Sequence, residues 1–235
     1  MKNLFFKSSL AIVTFLGLTT IISCGDDNSS SGGGMDSTKR IASMKMVEPD
    51  YKTYYYNYEY DTEGRISRVT VDEYYTSSGK LSQSYYINYT YSGNKIVKQS
   101  NNSSYSYNLV VSNGRVERDG KYNAEYKYDD SGYLSSGRGK SFTWSDDNLT
   151  QYSSHKYTYS SIPWPKNYFF FWDGTGMDQL LEPAGFYGNM PKNLPATVDN
   201  TYSLNYTIEN GCITKVVWKN INNDKEDYLY TLVWK

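Results

Sequence analysis

The chain has 235 residues, with 24 Lys and Arg against 25 Asp and Glu, and one His. A balance this even argues against a nucleic-acid partner, which selects a strongly basic face. Two cysteines leave no room for a disulfide framework, and 27 tyrosines, all beyond position 50, make Tyr the compositional anomaly.

The chain opens on a leader. Lys2 and Lys7 form a positive n-region, and Leu10 to Ile22 is an apolar run of about a dozen residues, too short to span a bilayer. Ile21-Ile22-Ser23-Cys24 follows and resembles the lipobox of bacterial lipoproteins, where the chain is cut before the cysteine and its thiol is acylated. The resemblance implies a signal peptide over 1–23, lipidation at Cys24 and a membrane partner reached through lipid alone. Cleavage there leaves 22 basic against 25 acidic side chains, a mature charge of −3. Gly25-Asp26-Asp27 resembles a surface-export signal and fits a solvated acidic linker equally well. Asn28 to Gly34 is a Ser/Gly/Asn spacer, so residues 24–40 read as a flexible tether. Asp36-Ser37-Thr38 resembles a short O-glycosylation sequon.

Residues 41–235 read as one β domain built on a recurring motif. It runs aromatic-x-aromatic, a polar turn with Gly or Asn, then an aliphatic residue. Tyr58-Glu-Tyr60-Asp61-Thr-Glu-Gly64-Arg-Ile66 is the clearest copy. Others begin at Tyr89, Leu109, Tyr126, Phe142 and Tyr206. Alternation at period two puts both large residues on one face of a strand. The turn residues supply the positive φ that tight hairpins need. Each copy is therefore a β-hairpin, and their succession is an antiparallel meander of roughly a dozen strands. A meander that long curls into a barrel or half-barrel to hide its edges.

Residues 161–200 interrupt the pattern. Pro163-Trp164-Pro165 cannot lie in a central strand. Phe169-Phe170-Phe171-Trp172 is the most apolar run after the leader, and Gly176 to Glu182 suits a short helix stopped by Pro183. Hydrophobic residues in so long a loop need burial, so the insert is expected to act as a plug over the sheet. The competing reading is a ligand site on Trp164, Tyr168, Trp172, Phe186 and Tyr187.

Chemistry is sparse. His155 is the single histidine, and Asp129-Asp130 and Asp146-Asp147 fall where hairpin turns want Asp. No catalytic residues, metal ligands or cofactor motif are assigned. Cys212, at the start of a strand, reads as a packed or half-exposed thiol.

The hairpins resemble the YD repeats of RHS-type shells. Lipobox, linker, hairpins and the late Gly188-Asn-Met-Pro-Lys-Asn193-Leu194-Pro195 segment together resemble a family of Bacteroidetes lipoproteins described as porin-like in fold. That resemblance implies an antiparallel barrel or half-barrel at the outer membrane, with no activity attached. The last strand alternates Tyr228, Tyr230, Leu232 and Trp234, yet no continuous lipid-facing band accompanies it, so a water-facing barrel on a lipid tether is expected. Its expected role is non-enzymatic binding or scaffolding, with a glycan or surface-protein partner. A lipid or small-molecule carrier and a subunit of a surface assembly stand as alternatives.

Overall fold

The computed structural model describes residues 38–168 and 179–235. The leader, Cys24, Asp36-Ser37, and Phe169-Phe170-Phe171-Trp172, Gly176 and Met177 of the insert lie outside the described residues.

The chain folds as hairpin after hairpin. The first strands are β1 (Ile41–Val47), β2 (Lys52–Tyr60), β3 (Ile66–Tyr75) and β4 (Leu81–Ser92). Then come β5 (Lys95–Ser100), β6 (Tyr107–Ser112), β7 (Arg115–Asp119) and β8 (Ala124–Tyr128). Short strands β9 (Leu134–Gly137), β10 (Lys140–Ser145) and β11 (Asn148–Tyr152) lead to β12 (His155–Pro163). The last four are β13 (Asn193–Val198), β14 (Tyr202–Glu209), β15 (Cys212–Asn220) and β16 (Glu226–Trp234). Each pairs antiparallel with its neighbours in sequence, and β16 pairs with β1, so all sixteen strands close one barrel. Closure removes every free edge, which settles the choice between barrel and half-barrel.

Sixteen strands exceed the dozen that turn counting gives. The motif turns all lie at one end, here the lower end. Several turns at the upper end carry no motif: Arg138-Gly139 joins β9 to β10, and Ser153-Ser154 joins β11 to β12. The insert is also shorter than expected. β12 runs through Pro163, which pairs with Asn193, and β13 contains Pro195. The ladder absorbs Pro195 through an irregularity between Thr158 and Tyr159 of the facing strand. Proline lacks an N–H, and such bulges are where sheets accept it.

The period-two pattern explains the core. Tyr56 and Tyr58 on β2, Val69 and Val71 on β3, and Tyr85, Ile87 and Tyr89 on β4 are buried inside, as are Leu109, Val116, Tyr126, Leu134, Phe142, Tyr152 and Tyr157 further round. The intervening residues face out. Lys45, Glu59, Gln99, Glu117, Glu125, Lys127, Thr143, Thr158, Asn205 and Lys215 are exposed on strands right around the wall. A bilayer-spanning barrel needs the reverse, an apolar band outside. This wall suits water.

The motif has a further meaning at the lower end. The last inward aromatic of each descending strand donates its polar tip to a carbonyl on the preceding strand. Tyr60 Oη reaches the Ile41 carbonyl, Tyr91 reaches Ile66 and Tyr128 reaches Val116, while the Trp144 indole reaches Leu134. Tyr159 reaches Leu149, Tyr206 reaches Pro195 and the Trp234 indole reaches Ile213. All seven bonds are 2.7–2.9 Å long. The corresponding residue of β6 is Val111, which has no polar tip. The bonds form a belt stitching hairpin to hairpin, and they explain why the last inward aromatic of these strands is Tyr or Trp and never Phe.

The turns below the belt follow their side-chain chemistry. Asp61 Oδ1 accepts from the Glu63 and Arg65 N–H groups, and its other oxygen accepts from Arg65 Nε. Gly64 closes that turn at φ 79°, where its N–H donates to the Asp61 carbonyl.

Candidate functional site

The described part of the insert docks along the lower end. A short 3-10 turn spans Gln179–Ala184 and includes Pro183, one turn later than a helix stopped by that proline. Leu181 is fully buried. Val116 N–H donates to the Phe186 carbonyl, Asn189 N–H to Gly132, Lys192 N–H to Asp147 and Trp164 N–H to Lys192. Asn167 Nδ2 donates to the Lys39 carbonyl. The segment thus touches the chain entering β1, the β7 strand, and the β8–β9 and β10–β11 turns.

Of the five aromatics singled out from sequence, four are described. Trp164 is half-buried, and its indole donates to the Tyr168 carbonyl while the two rings sit 5.6 Å apart. Tyr168 is buried, and burial holds its hydroxyl far above the usual phenol range. Phe186 stacks on Tyr91 at 5.6 Å. Tyr187 is buried edge-on to Tyr126 at 5.4 Å. Trp172 lies outside the described residues. His155 Nδ1 sits 2.6 Å from Asp199 Oδ2, and Asp199 also accepts from the Lys156 N–H, which clasps the β11–β12 and β13–β14 turns together. Cys212 is buried.

The interior itself holds the better candidate. On the β7–β13 side large rings fill the barrel: the Tyr126 ring lies over Gly137, whose missing Cβ makes the room, and Phe142 packs on Tyr152 at 4.7 Å. On the β14–β6 side the strands stand apart around a cup of about 760 Å³, within the ordinary range for small-molecule sites. Met46, Val69, Val71 and Ile87 give it aliphatic walls, and Tyr54, Tyr56, Tyr85, Tyr107, Tyr202, Trp218, Tyr228 and Tyr230 give it aromatic ones. Leu180 of the docked segment lines it as well. It also lines the smaller cleft at the lower end with Tyr60, Ile66 and Pro183, so it lies between the two. The cup's upper lining includes Glu48, Gln83 and Tyr105, which belong to or border the upper loops.

Four charged side chains look into the cup. Lys52 Nζ binds Glu73 Oε2 at 2.6 Å with both mostly buried, and this hydrogen bond raises the Lys52 pKa. Glu48 is raised by burial, with Lys52 pulling the other way. Lys98 is 9% exposed; its ammonium donates to Tyr107 Oη at 3.2 Å and lies over the Tyr107 and Tyr89 rings at 4.9 and 5.6 Å. Tyrosine faces stabilise a cation by their quadrupole. Tyr85 stacks on Tyr105 at 5.0 Å and 7°. Burial pushes the Tyr54 hydroxyl up to about 12.

The rim of the cup is lopsided. Tyr51, Tyr75, Leu81, Tyr105, Tyr122 and Ile221 are exposed large hydrophobics, and all six sit in or beside the upper loops between β15 and β8. The remaining upper loops present Arg138-Gly139, Ser153-Ser154 and Asp199-Asn200. The apolar half of the rim borders the open half of the barrel.

Sequence reasoning missed Lys52, Glu73 and Lys98 because a charge in an alternating strand is read as outward by default. A parity signal was present for all three: Lys52 shares the phase of Tyr54, Tyr56 and Tyr58. Glu73 shares the phase of Val69 and Val71, and Lys98 shares the phase of Ile96.

No family model matches the sequence, and no curated protein matches it significantly. Among solved structures, a porin-like protein of Bacteroides uniformis is similar, with TM-score 0.60 and 15% identity over 83% of this chain and 98% of that one. A porin-like protein of Bacteroides vulgatus aligns over 84% of this chain and 99% of that one, with TM-score 0.36 and 12% identity. At these identities the first likeness shows the fold.

Proposed function

We propose that the chain is a non-enzymatic envelope protein, tethered through an acylated Cys24, whose water-facing barrel holds a small, partly apolar molecule in its cup. The observation that carries the reading is the inversion of the wall: polar outside, and inside a cup of about 760 Å³ lined by tyrosine, tryptophan and aliphatic side chains. A barrel that only braced its own hairpins gains from a filled interior, as on the β7–β13 side. The outward charges favour a lipid tether over insertion of the barrel itself, and the porin-like neighbour favours the outer membrane as the place. Trp164, Tyr168, Phe186 and Tyr187 are proposed to close the lower end as part of the insert, with Leu180 as floor.

The apolar half-rim favours a second reading, a surface-protein partner seated on Tyr51, Tyr75, Leu81 and Tyr122. Native mass spectrometry of the mature protein, purified from membranes in mild detergent, separates the two. The carrier reading expects a bound small molecule, absent from a Val71→Trp variant that melts near wild type. A ligand-free barrel that captures nothing from a lipid and sugar-lipid panel overturns it. Cell fractionation with Cys24→Ala tests the tether: the variant should leave the membrane, and a membrane-bound variant would mean that the barrel inserts.

A further inference from the structure

The cup's upper end sets a carboxylate beside ring faces. Glu48 follows β1, whose register places Val47 opposite Leu229 of β16 and Thr53 of β2, and its N–H donates to the Lys52 carbonyl. Glu48 therefore stands on the wall between Tyr228 and Lys52, with Tyr54 the next inward residue of β2, and all four line the cup. Lys52 is turned to Glu73 at 2.6 Å, and its ammonium lies over the Tyr51 and Tyr75 rings at 5.4 and 6.0 Å. Among the described residues the Glu48 carboxylate accepts no hydrogen bond and joins no ion pair. Lys98 is on β5, with β2, β3 and β4 between it and β1. Next to Glu48 the rings make a corner. Tyr202 and Tyr228 stand at 64° with centroids 6.3 Å apart, and Trp218 packs on them at 5.7 and 5.9 Å, which fixes both. Burial, and next the Glu48 carboxylate, raises the Tyr228 and Tyr54 hydroxyls, so that carboxylate acts on both rings. Ring faces attract a cation, most strongly where water is scarce. A primary ammonium has three donors to satisfy, and one carboxylate serves it poorly. An alkylated ammonium makes no such demand and presents its charge through apolar groups that suit the rings.

We infer that the cup takes an organic cation, a quaternary ammonium head on an apolar body, with the head against Glu48 and the faces of Tyr228, Tyr202 and Tyr54, and the body along Met46 and Val71 toward Leu180. The inference rests on the cup being a binding site. Met46 is the next inward residue below Glu48 on β1, Val71 stands on β3 two strands away, and Leu180 lines the cup from the docked segment. These side chains give the body an apolar bed with no polar group to satisfy. Glu48 is half-buried at the mouth, so an entering cation meets the carboxylate first and the rings after it.

Isothermal titration of the mature protein with octyltrimethylammonium and with octanol tests it. The two probes share a chain and differ at the head, one charged and one neutral. Octyltrimethylammonium is expected to bind at least about tenfold more tightly than octanol, the worth of a desolvated contact between a cation and ring faces. Glu48→Gln breaks no side-chain contact, and it should cut that preference about fivefold while octanol affinity stays within about twofold. Tyr228→Leu should cut it as well, whereas Tyr228→Phe, which keeps the ring, should not. Glu59→Gln, on the outer wall, should leave it unchanged. Equal affinity for the two probes, or a preference that Glu48→Gln leaves at its wild-type value or that Glu59→Gln lowers as far, overturns the cationic guest and leaves the cup as an apolar site. Wild type that binds neither probe overturns the inference together with the carrier reading beneath it.

Discussion

The belt of aromatic tips makes a quantitative demand. Replacing Tyr60, Tyr91, Tyr159 or Tyr206 by Phe removes one hydroxyl and leaves the ring in place, so packing and ring contacts persist. What is lost is one bond of 2.7–2.9 Å to a carbonyl on the preceding strand. A neutral hydrogen bond contributes about 1 kcal/mol net, and a carbonyl left dry costs somewhat more. The four hydroxyls donate to four different carbonyls on four different strands, so their losses are summed. The quadruple variant should therefore lose about 4 kcal/mol. At about 2–4 °C per kcal/mol for a domain of this size, its Tm should fall by about 8–16 °C. Calorimetry with urea titration measures both quantities. Tyr55→Phe, on the outer wall and 40% exposed, is the control and should stay within about 0.5 kcal/mol. If each belt variant matches that control, the last inward aromatic of each descending strand is there for its ring alone and the stitching account is wrong.

Three further outcomes follow from other features. Gly188 sits at φ 84°, and a Cβ there would lie well inside 3.0 Å of the Gly132 carbonyl oxygen, so Gly188→Ala should cost about 2–3 kcal/mol by equilibrium unfolding; Gly114→Ala, at φ 75° with nothing within 4 Å, should cost only the backbone share of about 1–2 kcal/mol, and equal losses would refute docking of the insert at that turn. Lys52→Met strands Glu73 in the cup wall and should destabilise by about 3 kcal/mol, relieved by adding Glu73→Gln; a silent single variant would mean that the pair is solvated. Burial holds Tyr56, Tyr58 and Tyr206 far above the usual phenol value and Tyr54 at about 12, so their stabilisation is complete below the free-tyrosine value of 10.0 and is lost as pH rises through the folded values. An alkaline absorbance titration should show an exposed class of tyrosines first and a second class appearing with unfolding, whereas a single class near 10.0 contradicts the buried assignment.

Much of the barrel is legible in the sequence because its hairpins are local. Tyr58 to Ile66 and Tyr89 to Ile96 carry face, turn and return strand within a few residues, and the structure folds them that way. Turns such as Ser153-Ser154 have no such signature, since two serines are equally at home in a strand or a loop, and the strand count fell short there. Pro163 and Pro195 mislead in a different way. Proline forbids a regular central ladder, and β12 and β13 comply by being irregular rather than by ending. The cup was not legible at all. It arises because β2, β3 and β4 run for 9, 10 and 12 residues while β7 to β9 run for only 5, 5 and 4. It arises also because the Tyr126 ring leans over Gly137 on the filled side. Those are relations between distant strands, and no window of sequence contains them.

The pairing of β1 with β16 has a consequence in time. Arg40 and Lys235 exchange backbone hydrogen bonds at 2.9 Å, and Ile41 lies opposite Trp234. Every other ladder joins strands adjacent in sequence, so this seam alone brings together residues from opposite ends of the barrel. Closing a loop of that length costs on the order of 5 kcal/mol in chain entropy. The meander can form progressively, but until the seam zips β1 and β16 each present an open edge on which another copy can build. The slow step and the hazardous species are therefore the same object, an unclosed sheet. A circular permutant that links Lys235 to Arg40 and opens the chain at Gly139 would carry that vulnerability to the short β9–β10 hairpin, and its folding rate would report how much of the barrier the seam holds.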